Sequence, residues 1–265
     1  MRKNSIILPG ILLLAVACAI VPFTGRQQLS LVPESTVISM AATQYSEFMS
    51  THKLSNNMAG TQLVKKVGHN IQGAVERYYA QNNQSVRLRN YRWEFNLVDD
   101  SLANAWCMPG GKVVVYSGIL PYTRNENGLA VVMGHEIAHA IAHHGEERIS
   151  QGLVAQLGGV ALSAALKDKP EQTKALFLTA YGVGATLGVL LPYSRLHESE
   201  ADRIGLIFMA MAGYDPHGAI DFWKRMADQK KGAPPEFLST HPSDETRIRN
   251  IENLIPEAMK YYRKP

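Results

Sequence analysis

The stretch Met133–His143 reads MGHEIAHAIAH, and it contains a His-Glu-x-x-His pattern formed by His135, Glu136 and His139. Successive residues of an α-helix advance by about 100°, so His135 and His139 lie one turn apart on the same face. Two imidazoles at this spacing can hold one Zn²⁺ ion, and Glu136 beside them can act as a general base. The stretch therefore predicts a helix that carries part of a catalytic zinc site.

A catalytic zinc site needs a third protein ligand and an open position for water. The extended pattern HExxHxxGxxH would place a third histidine at position 145, which is Gly145, so that scheme is excluded. Downstream, Ser194–Asp202 reads SRLHESEAD and offers Glu198 and Asp202 on one helix face. Glu198 is the predicted third ligand, and Asp202 is expected to accept a hydrogen bond from the outer ring nitrogen of a ligand histidine.

Several polar residues close to these motifs have no place in the predicted site. His143 and His144 are out of register with the ligand face, and we interpret them as solvated residues further along a helix that runs over 126–149. Glu200 points about 200° away from Glu198 on its helix and is a poorer ligand. We therefore expect the metal to be held by His135, His139 and Glu198.

The composition is that of an ordinary globular protein. A chain of 265 residues with 46% hydrophobic and 19% charged residues can bury one substantial core. The net charge of +4 is modest, and no Lys/Arg-rich run is interleaved with aromatic residues, so no nucleic-acid partner is predicted. The two cysteines, Cys18 and Cys107, exclude a disulfide framework and a cysteine-based zinc module.

The first residues are typical of an export signal. Arg2 and Lys3 precede an apolar run over 6–17, which is shorter than the roughly 20 residues that a spanning helix needs. The sequence Ala15-Val16-Ala17-Cys18 resembles a bacterial lipoprotein signal, in which Cys18 becomes the lipidated first residue. The alternatives are an ordinary signal and an uncleaved anchor that happens to contain a cysteine.

The rest of the chain divides into a tether and one domain. We expect a signal peptide over 1–17, an extended tether over 18–34, and one domain over 35–265 that carries the predicted zinc site. Hydrophobic periodicity predicts early helices over 35–52 and 58–81 and short strands over 93–98, 104–108 and 112–116. Later helices are predicted over 194–212 and 215–230, with a last one after 243. Two apolar segments, 152–166 and 175–191, are interpreted as helices packed on the core; the alternative is a membrane hairpin.

Three motifs together resemble one known family. His135–His139, Ser194–Asp202 and Thr240–Pro242 match the pattern of the metallopeptidase family that contains the HtpX-like heat-shock peptidases, the CAAX prenyl proteases and the mitochondrial peptidase of overlapping activity. The similarity extends to the Asn-Ala and Pro-Gly-Gly sequences of Asn104–Gly111 and covers roughly 58–255. The intramembrane helices of the HtpX-like peptidases and the prenyl proteases are not clearly present, so the chain looks closer to the exported bacterial lipoprotein members.

This resemblance implies a fold and an activity. The fold is α+β and mainly α, a zincin-like (gluzincin) domain with a small β-sheet beside the His-Glu-x-x-His helix. The activity is that of a metalloendopeptidase with one Zn²⁺ per chain. Its substrates would be misfolded or misassembled envelope proteins, and it would act on the periplasmic side of a bacterial cell envelope, lipid-anchored to the outer membrane. The alternative is a non-catalytic, chaperone-like or scaffolding lipoprotein, against which the intact Glu136 argues. The sequence indicates no oligomeric state.

The resemblance also suggests roles for two residues outside the ligand set. His241, in the Thr-His-Pro segment, is expected to help Glu136 by stabilising the oxyanion of the reaction, although in some relatives this histidine approaches the metal. The alternative is a loop histidine with no role. Arg195 is expected to orient carboxylates near Glu198.

A peptidase must also hold an extended substrate, and a sheet edge can do so by strand addition. We predict that Gly110–Tyr116 is that edge, with Gly110 and Gly111 allowing close backbone approach. Asn104 is expected to hydrogen-bond to the substrate backbone; the alternative is an ordinary asparagine at a strand end.

Overall fold

The structure is a computed structural model that describes residues 18–157, 195–228, 235–242 and 245–263. The predicted signal over 1–17 and most of the two apolar segments lie outside these residues. Within the described part of the chain, no helix is both long enough and apolar enough to cross a membrane. The helices are α1 (Glu34–Thr51), α2 (Met58–Gln81), α3 (Leu120–Thr123), α4 (Glu126–Ile141), α5 (His144–Leu157), α6 (Arg195–Met211), α7 (Gly218–Asp228), α8 (Glu236–Thr240) and α9 (Glu245–Ala258).

The strands form two small sheets, β1 (Cys18–Ile20) with β2 (Gln27–Leu29), and β3 (Glu94–Val98), β4 (Ala105–Met108) and β5 (Lys112–Tyr116). In the three-stranded sheet the order is β3-β5-β4, so β5 is central, parallel to β3 and antiparallel to β4. This mainly helical arrangement, with its sheet beside the motif helix, confirms the predicted fold class.

The prediction that Gly110–Tyr116 forms the sheet edge was wrong. Gly110 and Gly111 have φ values of +82° and +83°, and they form the turn that reverses the chain between β4 and β5. Their carbonyls accept hydrogen bonds from the backbone N–H groups of Arg92 and Glu94, which places β3 on the far side of β5. The edge strand that lies against the motif helix is therefore β4, and its residues are buried.

The predicted tether is instead a folded hairpin. Strands β1 and β2 pair antiparallel, and Phe23 and Gly25 take φ values of +72° and +70° in the turn between them. Val21 is fully buried, and the Phe23 ring stacks on Tyr78 of α2 with centroids 3.6 Å apart. The residues expected to prevent regular structure instead form the turn of a hairpin, and this hairpin packs on the domain.

Helix α4 occupies the centre of the molecule. Every residue from Gly128 to Ile141 is buried, which suits a helix that is apolar on nearly all its faces. Asn125 caps its N-terminus by accepting a hydrogen bond from the Gly128 N–H. Helix α6 crosses α4 where Gly134 meets Gly205, and a Cβ added to Gly205 would lie 2.9 Å from backbone atoms of α4. The absence of side chains at this crossing lets the two motif helices come into backbone contact.

The helix predicted over 126–149 is broken in two. It ends at Ile141, and His143 adopts a φ of +57°, a left-handed conformation that is uncommon for residues other than glycine. The His143 ring lies 2.9 Å from a carboxylate oxygen of Glu146. This break turns His144, the first residue of α5, into the interior, where it is fully buried.

Replacing Gly205 by alanine tests the importance of the helix crossing. The added methyl group meets backbone that cannot move aside, so we expect the free energy of unfolding to fall by about 1–3 kcal/mol. Gly73→Ala in α2 is the matched control, because its Cβ would meet only the Arg77 side-chain end at 3.2 Å. That change should raise stability by about 0.5–1 kcal/mol. Urea denaturation measures both, and equal effects of the two changes would contradict the proposed crossing.

Candidate metal centre

Four buried side chains converge beside the helix crossing: His135 and His139 of α4, Glu198 of α6, and His241, which follows α8. Their ligand atoms all lie within 4.8 Å of one another. The two Nε2 atoms of His135 and His139 are 3.0 Å apart. The carboxylate oxygens of Glu198 lie 3.4 Å from His135 Nε2 and 3.3 Å from His139 Nε2.

These separations fit a bound metal ion. Ligand atoms about 2.0–2.1 Å from a tetrahedral zinc ion lie about 3.3 Å from each other. The distances among His135, His139 and Glu198, 3.0–3.4 Å, are close to that value. Two histidines and a glutamate are also a donor set that occurs in hydrolytic zinc enzymes. The three side chains that the sequence predicts as ligands are thus brought together with suitable atoms facing one another.

The electrostatics of the cluster favour a cation. Burial lowers the pKa of His139 well below its usual value, which keeps its ring neutral, as a metal ligand must be. Burial alone would also lower the pKa of His135, but Asp202 and Glu198 raise it to about 9. Burial would raise the pKa of Glu198, yet the nearby His241 and Arg247 hold it well below its usual value. A buried position that attracts a proton this strongly can exchange that proton for a divalent cation.

Asp202 lies where the sequence predicts it. Its Oδ1 atom is 3.0 Å from Nδ1 of His135, so it can fix the ring with Nε2 toward the other ligands. Arg247 of α9 donates two hydrogen bonds to Asp202, at 2.9 and 2.8 Å, and its Nη1 atom lies 2.9 Å from Glu198. The Arg247 guanidinium also stacks 3.6 Å above the Trp223 ring.

The orienting contact predicted for Arg195 is made by Arg247 instead. Arg195 begins α6 with its side chain exposed, whereas Arg247 is buried between the two carboxylates. Sequence reasoning missed Arg247 because it lies 45 residues beyond Asp202 on an otherwise amphipathic helix. The one signal that could have identified it is its position five residues after Pro242 of the Thr-His-Pro segment, whose carbonyl accepts a hydrogen bond from it.

Glu136 faces His241 across the cluster. Its Oε1 atom lies 3.3 Å from His241 Nε2, and burial raises the pKa of the Glu136 carboxyl. The other ring nitrogen of His241 is 3.1 Å from His135 Nε2 and 3.0 Å from Glu198. Helix α8 sets this position, since the His241 N–H donates to the Phe237 carbonyl and the two rings pack together. His241 is therefore close enough to serve as a helper or as a further ligand.

The prediction that His144 is solvated was wrong. After the helix break its Nδ1 atom lies 2.8 Å from Nδ1 of His139, and its Nε2 atom lies 3.0 Å from Glu200. Glu200 is also buried, and it faces away from the metal ligands, as its helical position predicts. The neighbouring His197 is buried as well, 2.9 Å from Glu147. A sequence pattern that assumes one continuous helix cannot anticipate this group.

The residues predicted to bind substrate do not form one group. Asn104 is buried, and its side chain accepts a hydrogen bond from the N–H of Ala105. Gly110 and Gly111 lie beyond the opposite end of β4. The carbonyls of Asn104 and Met108 accept hydrogen bonds from the β5 side. Since the groups of an antiparallel strand alternate, the backbone of Ala105 and Cys107 faces away from β5. That outer side of β4 is the edge that an extended peptide could join.

Comparisons with known proteins agree with this geometry. The model of peptidase family M48 matches residues 67–255. The chain is 37% identical to the mitochondrial metalloendopeptidase OMA1 of Schizosaccharomyces pombe over 90% of its own length and 66% of the relative's. It is 32% identical to human OMA1 over 90% of its own length and 46% of the relative's. It is 34% identical to the β-barrel assembly-enhancing protease of Escherichia coli over 61% of its own length and 34% of the relative's.

The chain thus spans no more than about two thirds of the length of these relatives. The family match, however, includes the His-Glu-x-x-His helix, Glu198 with Asp202, and His241. The matched region covers well over half of the 265 residues. The chain therefore belongs to peptidase family M48.

Proposed function

We propose that the protein is a zinc-dependent endopeptidase. The observation that carries this proposal is the position of Glu136, a buried carboxylate next to a convergent set of two histidines and a glutamate. A scaffold that only bound metal would not need an additional acid at this place.

The zinc ion would be held by His135, His139 and Glu198. When bound, it supplies Lewis acidity, which polarises the scissile carbonyl and makes a water molecule easier to deprotonate. Glu136 takes the proton of the attacking water, and the raised pKa of its carboxyl suits a general base that must later return a proton. Glu136 then delivers this proton to the nitrogen of the leaving amine.

Two further residues support this chemistry. His241 lies between Glu136 and the ligands, where its ring N–H can donate a hydrogen bond to the oxygen that gains negative charge. Arg247 neutralises part of the charge of Glu198 and Asp202 and keeps both carboxylates in place.

The substrate would bind as an extended strand along the outer side of β4. The Ala105 carbonyl and the backbone of Cys107 face that side, and an added strand can pair with them, whereas the Ala105 N–H already donates to the Asn104 side chain. Helix α8 closes one end of this edge, because the Phe237 N–H donates to the Ala103 carbonyl. A binding mode that requires extended chain favours unfolded or misassembled proteins as substrates.

We also propose that the protein acts in a bacterial cell envelope, lipid-anchored at Cys18, on the periplasmic side of the outer membrane. The N-terminal pattern supports the export and the lipidation, and Cys18 is exposed at the start of β1. The relatives from Yersinia pestis and Escherichia coli are named β-barrel assembly-enhancing proteases, which favours a role in envelope quality control. Other relatives are named as mitochondrial, so the proposed location rests on the N-terminal sequence together with the bacterial relatives.

Matched isosteric changes of two glutamates separate metal binding from catalysis. Glu136→Gln is expected to keep one zinc ion per chain but to abolish cleavage of unfolded casein, since an amide cannot accept the proton. Glu198→Gln is expected to lose most of the zinc, because a neutral amide is a poor ligand. Metal analysis of the purified protein and a casein assay give both results.

Glu257→Gln, which removes a carboxylate from a surface ion pair with Arg203, serves as the control and should change neither result. If Glu136→Gln still cleaves casein, the proposed mechanism is wrong. Wild-type protein that binds zinc and suppresses aggregation without cleaving anything would support the chaperone-like alternative.

The lipid anchor has a direct test. When the gene is expressed in a bacterium fed with labelled palmitate, the wild-type protein should incorporate the label and Cys18→Ser should not. Cys107→Ser is the control and should be labelled normally, since Cys107 is buried inside the sheet. Label that survives in Cys18→Ser would refute the assignment.

A further inference from the structure

A second cluster of buried ionisable side chains lies behind the metal centre, and the proposed mechanism does not use it. It joins the N-terminal hairpin to α5 and α6. Its members are Arg26, His144, Glu147, His197 and Glu200. The two histidines and the two glutamates are buried, and Arg26 reaches them from the hairpin turn. Burying so many ionisable groups is costly, so their mutual contacts call for an explanation.

The contacts form a chain that begins at a metal ligand. His139 directs Nε2 toward Glu198 and His135, so as a metal ligand it carries its proton on Nδ1. That N–H can donate to Nδ1 of His144, 2.8 Å away. His144 then carries its own proton on Nε2, which donates to Glu200 at 3.0 Å. Each tautomer in this chain is set by the one before it.

Arg26 anchors the far end of this series of hydrogen bonds. Its Nε atom donates to Oε2 of Glu200 at 2.9 Å, and Nη1 and Nη2 donate to Glu147 at 3.1 and 2.7 Å. Thr24, also in the hairpin turn, donates its hydroxyl hydrogen to the other oxygen of Glu200. The hairpin therefore holds both carboxylate oxygens of Glu200. This fixes the position of Oε2, the oxygen that contacts His144.

The two predicted ligand histidines are supported in corresponding ways. His135 contacts Asp202, and Asp202 is held by two hydrogen bonds from Arg247. His139 reaches its carboxylate through one intervening imidazole, and that carboxylate is held by Arg26. In both cases an arginine fixes a carboxylate that orients a ring, an arrangement that raises ligand basicity and affinity for the metal.

We propose that Arg26 is a positioning residue for the metal site, acting on His139 through Glu200 and His144. The N-terminal hairpin is then a component of the metal centre. This inference rests on the proposed function, because it requires a metal ion at His139.

The test compares zinc affinity, measured by competition with a chromogenic chelator, across matched variants. Arg26→Gln should bind zinc about 10–100-fold more weakly than wild type, the usual effect of losing an outer partner of a ligand. Arg26→Lys keeps the charge but not the fork of donors, and should recover part of the affinity. Arg203→Gln is the control, since it breaks a similar two-bonded pair with Glu257 elsewhere on α6 and should leave zinc affinity unchanged.

Thermal unfolding of the metal-free proteins separates positioning from stability. A purely structural role would lower the unfolding temperature of Arg26→Gln while the folded protein kept wild-type zinc affinity, and this result would overturn the proposal. If Arg26→Gln does not fold, Glu200→Gln decides, because it keeps the size of the side chain and removes the charge. Weaker zinc binding by Glu200→Gln would support the proposed series of hydrogen bonds, and unchanged zinc binding would refute it. Wild-type protein that binds no zinc would instead refute the proposed function and this inference together.

Discussion

The site depends on the backbone contact between α4 and α6 at Gly134 and Gly205. Helix α4 carries the two histidines and Glu136, and α6 carries Glu198 about two turns before the crossing. A Cβ at either glycine would come within 2.9–3.0 Å of backbone atoms of the other helix, so the helices would have to move apart. Glu198 lies 59 residues after His139 in the sequence. The two can bind one ion only because their helices pack this closely.

Charge balance is the second constraint. The interior beside this crossing contains carboxylates, imidazoles and two guanidiniums that approach from opposite sides. Arg247 compensates Glu198 and Asp202, and Arg26 compensates Glu200 together with Glu147. Unpaired charges at this depth would be strongly destabilising, whereas paired ones keep each ring in a single orientation. We infer that rigidity of the ligand rings is what these buried pairs contribute.

The sequence predicts the parts of the site whose spacing follows helix geometry. His135 with His139, and Glu198 with Asp202, are pairs four residues apart, and one helical turn fixes their relation. Sequence reasoning failed where a single backbone angle redirects the chain. A left-handed His143 places His144 in the core, and the turn at Gly110 and Gly111 makes β5 central. Neither Arg26 nor Arg247 was predicted. Arg26 lies far from the motifs in sequence, and Arg247, although only five residues after Pro242, meets Glu198 and Asp202 only in the folded protein.

We propose above all that His135, His139 and Glu198 bind a single zinc ion beside Glu136. Anomalous diffraction from crystals of the zinc-loaded protein, recorded on both sides of the zinc absorption edge, tests it most directly. We expect one strong peak per chain, about 2.0–2.2 Å from Nε2 of both histidines and from an oxygen of Glu198. A zinc peak at any other set of side chains, or none at this one in zinc-saturated crystals, would contradict the account.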